Sequence, residues 1–162
     1  MLFFYRYYQH DTRYYDNVVV CPCDGTITDI HQDKDFYFVS IFLSPFNVHN
    51  QIYPVNGIVT SQYYDKTGIF SLAINKAKSR YNDKVIHKIQ TQYGYVTITQ
   101  ISGFLPRCIV YNHKVNHRVQ AGEYLGMIKF GSRVDLKIPK TNYPPPINVN
   151  QKITFGDLIY KF

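Results

Sequence analysis

Short runs in which apolar and polar residues alternate limit this chain to one broad class of fold. Successive side chains of a β-strand point to opposite faces, so a two-residue period marks a strand with one buried and one wetted face. Alternating or β-branched runs cover Val18–Val20, Thr26–Ile30, Phe36–Phe42, Ile58–Tyr64, Lys84–Gln90, Tyr93–Ile101, Tyr124–Phe130 and Arg133–Ile138. Turn-forming residues separate them at Asp24-Gly25, Pro54, Asn56-Gly57 and Tyr93-Gly94. Helical pieces are expected only near Pro45–His49 and Asn75–Arg80. The chain is therefore predicted to be mostly β.

Two internal echoes sharpen that expectation. "VCPCDGTITDI" matches "IYPVNGIVTSQ" in an apolar lead, a proline, Asp or Asn before glycine, and then a strand. "NHRVQAGEYLGMI" matches "NQKITFGDLIYKF", each with an apolar residue, two further residues, glycine, an acid and an apolar pair. The Asp-Gly and Asn-Gly steps permit the positive φ of turns that fold a strand back on its neighbour. The expected architecture is a single-domain, barrel-like sandwich of duplicated hairpin units, similar to biotinyl/lipoyl carrier domains. The Met-Lys-Met that accepts biotin is absent, so a swinging-arm carrier is not expected. "KTNYPPPINVN" reads as a stiff, polyproline-like bridge to the last strand.

Composition narrows the classes of partner. With 45% hydrophobic and 18% charged residues, a chain of 162 residues can bury a real core and is most simply one domain. The formal charge of +7 suits an anionic membrane surface, an acidic substrate or nucleic acid. There is no dense Lys/Arg cluster, and nucleic acid is not expected. Cys21, Cys23 and Cys108 are odd in number and point to a reducing, intracellular setting. Taken with His113 and His117, Cys21 and Cys23 form no recognised zinc spacing, so no metal is expected. No run approaches the ~20 apolar residues that span a bilayer, and no secretory pattern is read. The opening "MLFFYRYYQHDTRYY" is aromatic and basic, suited either to lie at a membrane interface or to pack as a strand.

One stretch interrupts a strand pattern for no local gain. In "GMIKFGSRVDLKIP" apolar residues alternate on both sides of Gly131-Ser132, where a glycine costs packing and backbone entropy. Two further residues carry chemistry: Asp24 on the first Asp-Gly turn and His49 in "LSPFNVHNQIYP". Each alone has an ordinary explanation as turn chemistry, capping or packing. Together, "CPCDGTI", "SIFLSPFNVHN", "YPVNGIV", "YNDKV", "QISGFLPRCIVYN" and "HRVQAGEYLGMIKFGSRVDLKIP" resemble, in order and spacing, the phosphatidylserine decarboxylase proenzymes in their compact, anchor-less form. The likeness runs from about Val18 to Pro139, with a weaker match in "NQKITFGDLIYKF".

The resemblance implies a self-processing enzyme. Ser132 Oγ attacks the carbonyl carbon of Gly131, elimination leaves a dehydroalanine, and hydrolysis releases ammonia and leaves a pyruvoyl cofactor at residue 132. A residue with a Cβ at position 131 is expected to obstruct the attack. The products are residues 1–131 and 132–162. The pyruvoyl ketone forms a Schiff base with phosphatidylserine, CO2 leaves, and phosphatidylethanolamine results, with His49 as the proton donor. A base must activate the hydroxyl, and Asp24 and His49 are the candidates. Larger family members carry a second His three residues after the first and assign cleavage to it; Ile52 stands there in this chain. Compact members follow the His with Val-Asn-Arg, and here the residues are Asn50, Gln51 and Ile52. Arg133, Arg107 and Lys129 match positions suited to hold phosphate or carboxylate, with ordinary surface charge as the alternative. Asp135 and Asn82 also match family positions and are expected to be structural. The implied partner is an anionic membrane surface, with the protein peripheral on it; a homodimer is compatible with this. Two other readings stay open: a processing-dead homologue that binds lipid or another protein, and a pyruvoyl decarboxylase of another amine.

Overall fold

The computed structural model describes residues 16–47, 49–67, 81–103, 108–128 and 131–162. Alternation is realised as strands throughout: β1 (Val18–Val20), β2 (Gly25–Gln32), β3 (Phe36–Leu43), β4 (Asn50–Ile52), β5 (Gly57–Asp65), β6 (Lys84–Thr91), β7 (Gly94–Ile101), β8 (Ile109–Tyr111), β9 (Arg118–Val119), β10 (Tyr124–Ile128), β11 (Ser132–Pro139), β12 (Lys152–Ile153) and β13 (Leu158–Lys161). Among the described residues there is no helix. The expected helical piece at Pro45–His49 is instead a tight turn at 45–47, closed by Asn47 N–H on Ser44 O (3.0 Å) and by the Asn47 side chain accepting from Ser44 N–H (2.8 Å). Asn and Ser satisfy the backbone locally there, which competes with a helix. The expected helix at 75–80, the aromatic opening at 1–15 and the strand end at Phe130 lie outside the described residues.

Eight strands form one antiparallel sheet in the order β12-β2-β3-β11-β7-β6-β5-β9, with β4-β10-β8 and β1-β13 as two smaller sheets. The large sheet ends at β12 and β9, so the barrel expected from the sequence does not close among the described residues. Its centre is an approximate two-fold axis between Leu136 of β11 and Ile98 of β7, which oppose each other. Rotation about it carries β3 onto β6, β2 onto β5 and β12 onto β9.

The echoes in the sequence are this symmetry, and it holds residue by residue. Gly25 pairs with Ile153 as Gly57 pairs with Val119. A bulge follows between Ile27 and Asp29 in one half and between Val59 and Ser61 in the other. Asn150, at φ 69°, donates to Ile27 O, and Asn116, at φ 67°, donates to Val59 O. The halves clasp each other through Val20 N–H on Pro54 O and Ile52 N–H on Pro22 O, both 2.9 Å. Gly25 and Gly57 are glycines for want of space. A Cβ on Gly25 would meet Phe42 O and Ile41 Cγ2, and one on Gly57 would meet Gln90 O and Ile89 Cγ2.

The buried face of β11 carries Val134, Leu136 and Ile138, which join Val39, Ile41 and Ile98 in one cluster that also takes in Leu125 and Ile159 from the small sheets. Each such aliphatic side chain contributes roughly 1.5–3 kcal/mol on burial. The two apolar runs flanking Gly131-Ser132 are thus separate elements. β10 belongs to the three-stranded sheet and β11 to the eight-stranded one. The glycine and serine sit where the chain crosses between them.

Candidate active site

Ser132 is the first residue of β11 and pairs with Leu43 of β3. It is fully buried, and its Oγ has no hydrogen-bond partner among the described residues. An unsatisfied buried hydroxyl costs about 1–3 kcal/mol, and such groups in native structures call for an explanation. Gly131 before it has φ 56°. A Cβ there would meet no described atom within 4 Å, and the left-handed backbone itself disfavours an L-residue by roughly 1–2 kcal/mol.

His49 is buried, and its Nδ1 lies 2.7 Å from Asn47 O. A carbonyl only accepts, so Nδ1 carries the hydrogen and Nε2 the lone pair. Burial lowers the imidazole below its usual range, and the bond to Asn47 O opposes this. The His49 carbonyl accepts from Ile128 N–H at 3.2 Å and from the Gln51 side-chain amide. Ile128 ends β10, so the main chain of His49 is bonded to the segment that leads into Gly131.

Asp24 lies at the same end of the large sheet. Thr26 opposes Phe42, which opposes Arg133 on its other side, so the residues before Thr26 run level with Ser132 and Gly131. Its Oδ1 accepts Phe155 N–H at 3.0 Å. The symmetric residue, Asn56, accepts Ala121 N–H at 2.7 Å in the same way. Burial raises the Asp24 carboxyl, the Phe155 bond opposes that, and the Asp157 charge adds to it. The three candidates therefore share one end of the fold, while Ser132 Oγ is bonded to neither of the others.

A match to the family model described as phosphatidylserine decarboxylase covers residues 1–161. The chain belongs to the phosphatidylserine decarboxylase family. Among curated relatives, the phosphatidylserine decarboxylase proenzyme of Chlorobium phaeovibrioides is 36% identical over 148 residues, covering 88% of this chain and 67% of that protein. The proenzyme of the Wolbachia of Brugia malayi is 35% identical over 155 residues, covering 88% and 66%. That of Thermobifida fusca is 39% identical over 119 residues, covering 74% and 54%. The chain thus spans between about half and two thirds of the length of these relatives.

Of the three cations expected from the phosphatidylserine decarboxylase likeness, only Arg133 lies among the described residues; Arg107 and Lys129 do not. Arg133 is 4% exposed and its Nε lies 2.9 Å from Asp135 Oδ1. Neighbours along a strand face opposite ways, so Arg133 points away from the side that Ser132 faces. Asp135 is held against Arg133, and Asn82 Nδ2 donates to Ser102 O at 2.8 Å. Cys21 and Cys23 are buried free thiols, with Cys21 Sγ 3.0 Å from Cys23 O.

Sequence reasoning missed a buried polar string that ends on His49. Gln62 Nε2 lies 2.9 Å from His87 Nδ1, His87 Nε2 lies 2.8 Å from Gln100 Oε1, and Gln100 Nε2 lies 2.8 Å from Gln51 Oε1. Gln51 then reaches His49 O. His87, Gln100 and Gln51 are fully buried, and burial drives His87 down to about 4, against the Gln100 bond. The signal was present: His87 falls in phase with buried Val85 and Ile89, and Gln100 with Val96 and Ile98. Polar residues in a core phase must find partners.

Proposed function

We propose that this chain cuts itself between Gly131 and Ser132 and uses the resulting pyruvoyl group to decarboxylate phosphatidylserine to phosphatidylethanolamine. The observation that carries this reading is the Ser132 hydroxyl, buried and unpartnered among the described residues, directly after a glycine held at φ 56°. Buried hydroxyls in native structures are usually hydrogen-bonded. This one has no partner among the described residues, and it fits the precursor of a pyruvoyl group.

In the cut, Ser132 Oγ adds to the Gly131 carbonyl carbon. The C–N bond breaks, and an ester replaces the amide with the nitrogen now a free amine. Loss of the Ser132 Cα proton expels the Gly131 carboxylate and leaves a dehydroalanine. Water then displaces the nitrogen as ammonia, and a ketone remains. His49 is neutral through burial, and its Nε2 lone pair makes it the favoured base. Asp24 is the second candidate, its raised carboxyl retaining affinity for a proton. The pyruvoyl ketone supplies an electron sink for the pair left when CO2 departs from an amine substrate. His49, in its protonated form, then delivers a proton to the substrate carbon. The chain's +7 charge favours an anionic membrane surface, on which the protein acts peripherally within the cell.

Intact mass under denaturing conditions tests the reading. Two species are expected, residues 1–131 and 132–162, the second blocked at its N-terminus and labelled by phenylhydrazine. Phosphatidylserine vesicles should release CO2. One full-length, unlabelled chain that releases none overturns the proposal. Such a chain, if it still binds the vesicles, is the processing-dead module instead, a reading favoured by Ile52 and by the engagement of Asp24 with Phe155.

A further inference from the structure

The polar string has a counterpart in the other half of the molecule, and that counterpart is hydrocarbon at every position. Gln62 opposes His87 where Ile30 opposes Val39. Gln100 opposes Val85 where Ile138 opposes Tyr37. Gln51 opposes Gly126 where Val19 opposes Tyr160. The same backbone framework is thus held by apolar packing on one side of the two-fold axis and by four linked polar side chains on the other. Building the framework does not require the polar version.

Direction can be assigned along the whole string. Lys114 N–H donates to Gln62 Oε1 at 2.8 Å, which turns the Gln62 amide nitrogen toward His87. His87 accepts at Nδ1 and donates from Nε2 to Gln100 Oε1, as its depressed basicity and neutral ring require. Gln100 donates to Gln51, and Gln51 donates to the His49 carbonyl, which can only accept. Both ends are backbone groups of fixed polarity, so no amide in between can turn over without leaving a buried group unpaired. Gly126 leaves room for this. A Cβ there would meet Gln100 Nε2 at 3.1 Å and would strike the Val110 carbonyl as well.

We infer that Gln62, His87, Gln100 and Gln51 are positioning residues that hold His49 for its work on the Gly131-Ser132 bond and on substrate. The symmetric site shows what is added. Asn17 O accepts Phe162 N–H at 2.9 Å as His49 O accepts Ile128 N–H at 3.2 Å, but Val19 has no donor to offer where Gln51 has one. The second bond fixes the plane of the His49 main chain, and Asn47 O fixes its ring. A misplacement of about 1 Å at a reacting group costs roughly a hundredfold in rate. The inference rests on His49 being the acid–base group of the proposed reaction.

The test makes the second half apolar like the first, with Gln51→Val, Gln62→Ile, His87→Val and Gln100→Ile together. Replacing both partners of buried bonds by hydrocarbon is near neutral for stability. The expected result is an unchanged or higher Tm, with kcat for CO2 release from phosphatidylserine vesicles down about tenfold or more and KM little changed. Should that variant not fold, single variants decide. Gln100→Leu should lose about tenfold in kcat, whereas His87→Gln, which can still accept and donate, should stay within about threefold. Folded variants that all keep wild-type kcat overturn the inference. Nitrogen NMR of His49 in an uncut Ser132→Ala chain gives a readout without turnover. The parent should show one fixed tautomer and the added Gln100→Leu an averaged one. An unmoved His49 signal overturns the positioning role, while a wild type that releases no CO2 but responds in this experiment overturns only the proposed function.

Discussion

The two halves of this molecule share a strand plan, a bulge, a positive-φ asparagine and a clasp, yet they differ in what fills them. The half built on β2 and β3 packs Ile30, Val39, Ile138 and Val19. The half built on β5 and β6 places Gln62, His87, Gln100 and Gln51 at the same points and feeds them to His49. Duplication supplied a stable frame twice. One copy fills the frame with hydrocarbon, and the other with hydrogen-bonded side chains that reach the His49 carbonyl. Asp24 and Asn56 make the same point in reverse, since both tie a turn to its partner and only Asp24 can also titrate.

This contrast can be broken at four strengths. Ser132→Ala, at the start of β11, should abolish cutting and CO2 release together, seen as a single chain by mass; residual turnover would place the reactive group elsewhere. His49→Ala should lower kcat by about a hundredfold or more, within the usual range for an acid–base group, while Asn17→Ala at the symmetric site should leave kcat within about twofold.

The third test uses pH. His87 stays neutral in the folded chain down to about 4, whereas the unfolded chain takes up the proton below 6.5. The unfolded state then binds more protons, so stability is full above pH 6.5 and falls as pH drops toward 4, by about 3 kcal/mol from this group. Denaturant titration of His87→Val, which copies Val39, should show that part of the slope removed. A slope unchanged from wild type would mean that His87 is charged or exposed in solution. The smallest effect belongs to Asp24→Asn, which copies Asn56 and keeps the acceptor for Phe155. Tm should hold within a few degrees, so any large loss of cutting in that variant assigns proton transfer to the carboxylate.

Most of the large sheet was legible because its strands alternate cleanly. Val96, Ile98 and Gln100 face one side of β7, and Val134, Leu136 and Ile138 one side of β11. The doubling was legible as well, because glycine and asparagine mark positions where backbone geometry leaves little choice. The short strands β4, β8, β9 and β12 were not read, since runs of two or three residues show little period, and the last strand was expected only as the run beyond the proline-rich bridge. Ser132 was legible from its motif, but its setting was not. The runs on either side of Gly131-Ser132 were read as two strands, but that they lie in different sheets is decided only by tertiary pairing. Arg133 was expected, from its match to a family position, to hold phosphate or carboxylate; strand alternation turns it to the face opposite Ser132, onto Asp135. The polar string escaped notice because each member looks like a lone exception until the register brings the four together.

The place of β11 has a consequence for the order of events. It lies between β3 and β7, paired along both edges, with β12 and β13 of the same C-terminal stretch laced into β2 and β1. A break just ahead of it frees no loose tail. A severed piece would remain wedged as the keystone of the sheet, its new end pinned at the root, and the two polypeptides would travel as one body until denaturant parted them. On the proposed reaction, cutting would follow folding, because Ser132 is buried beside β3 only once the keystone is seated.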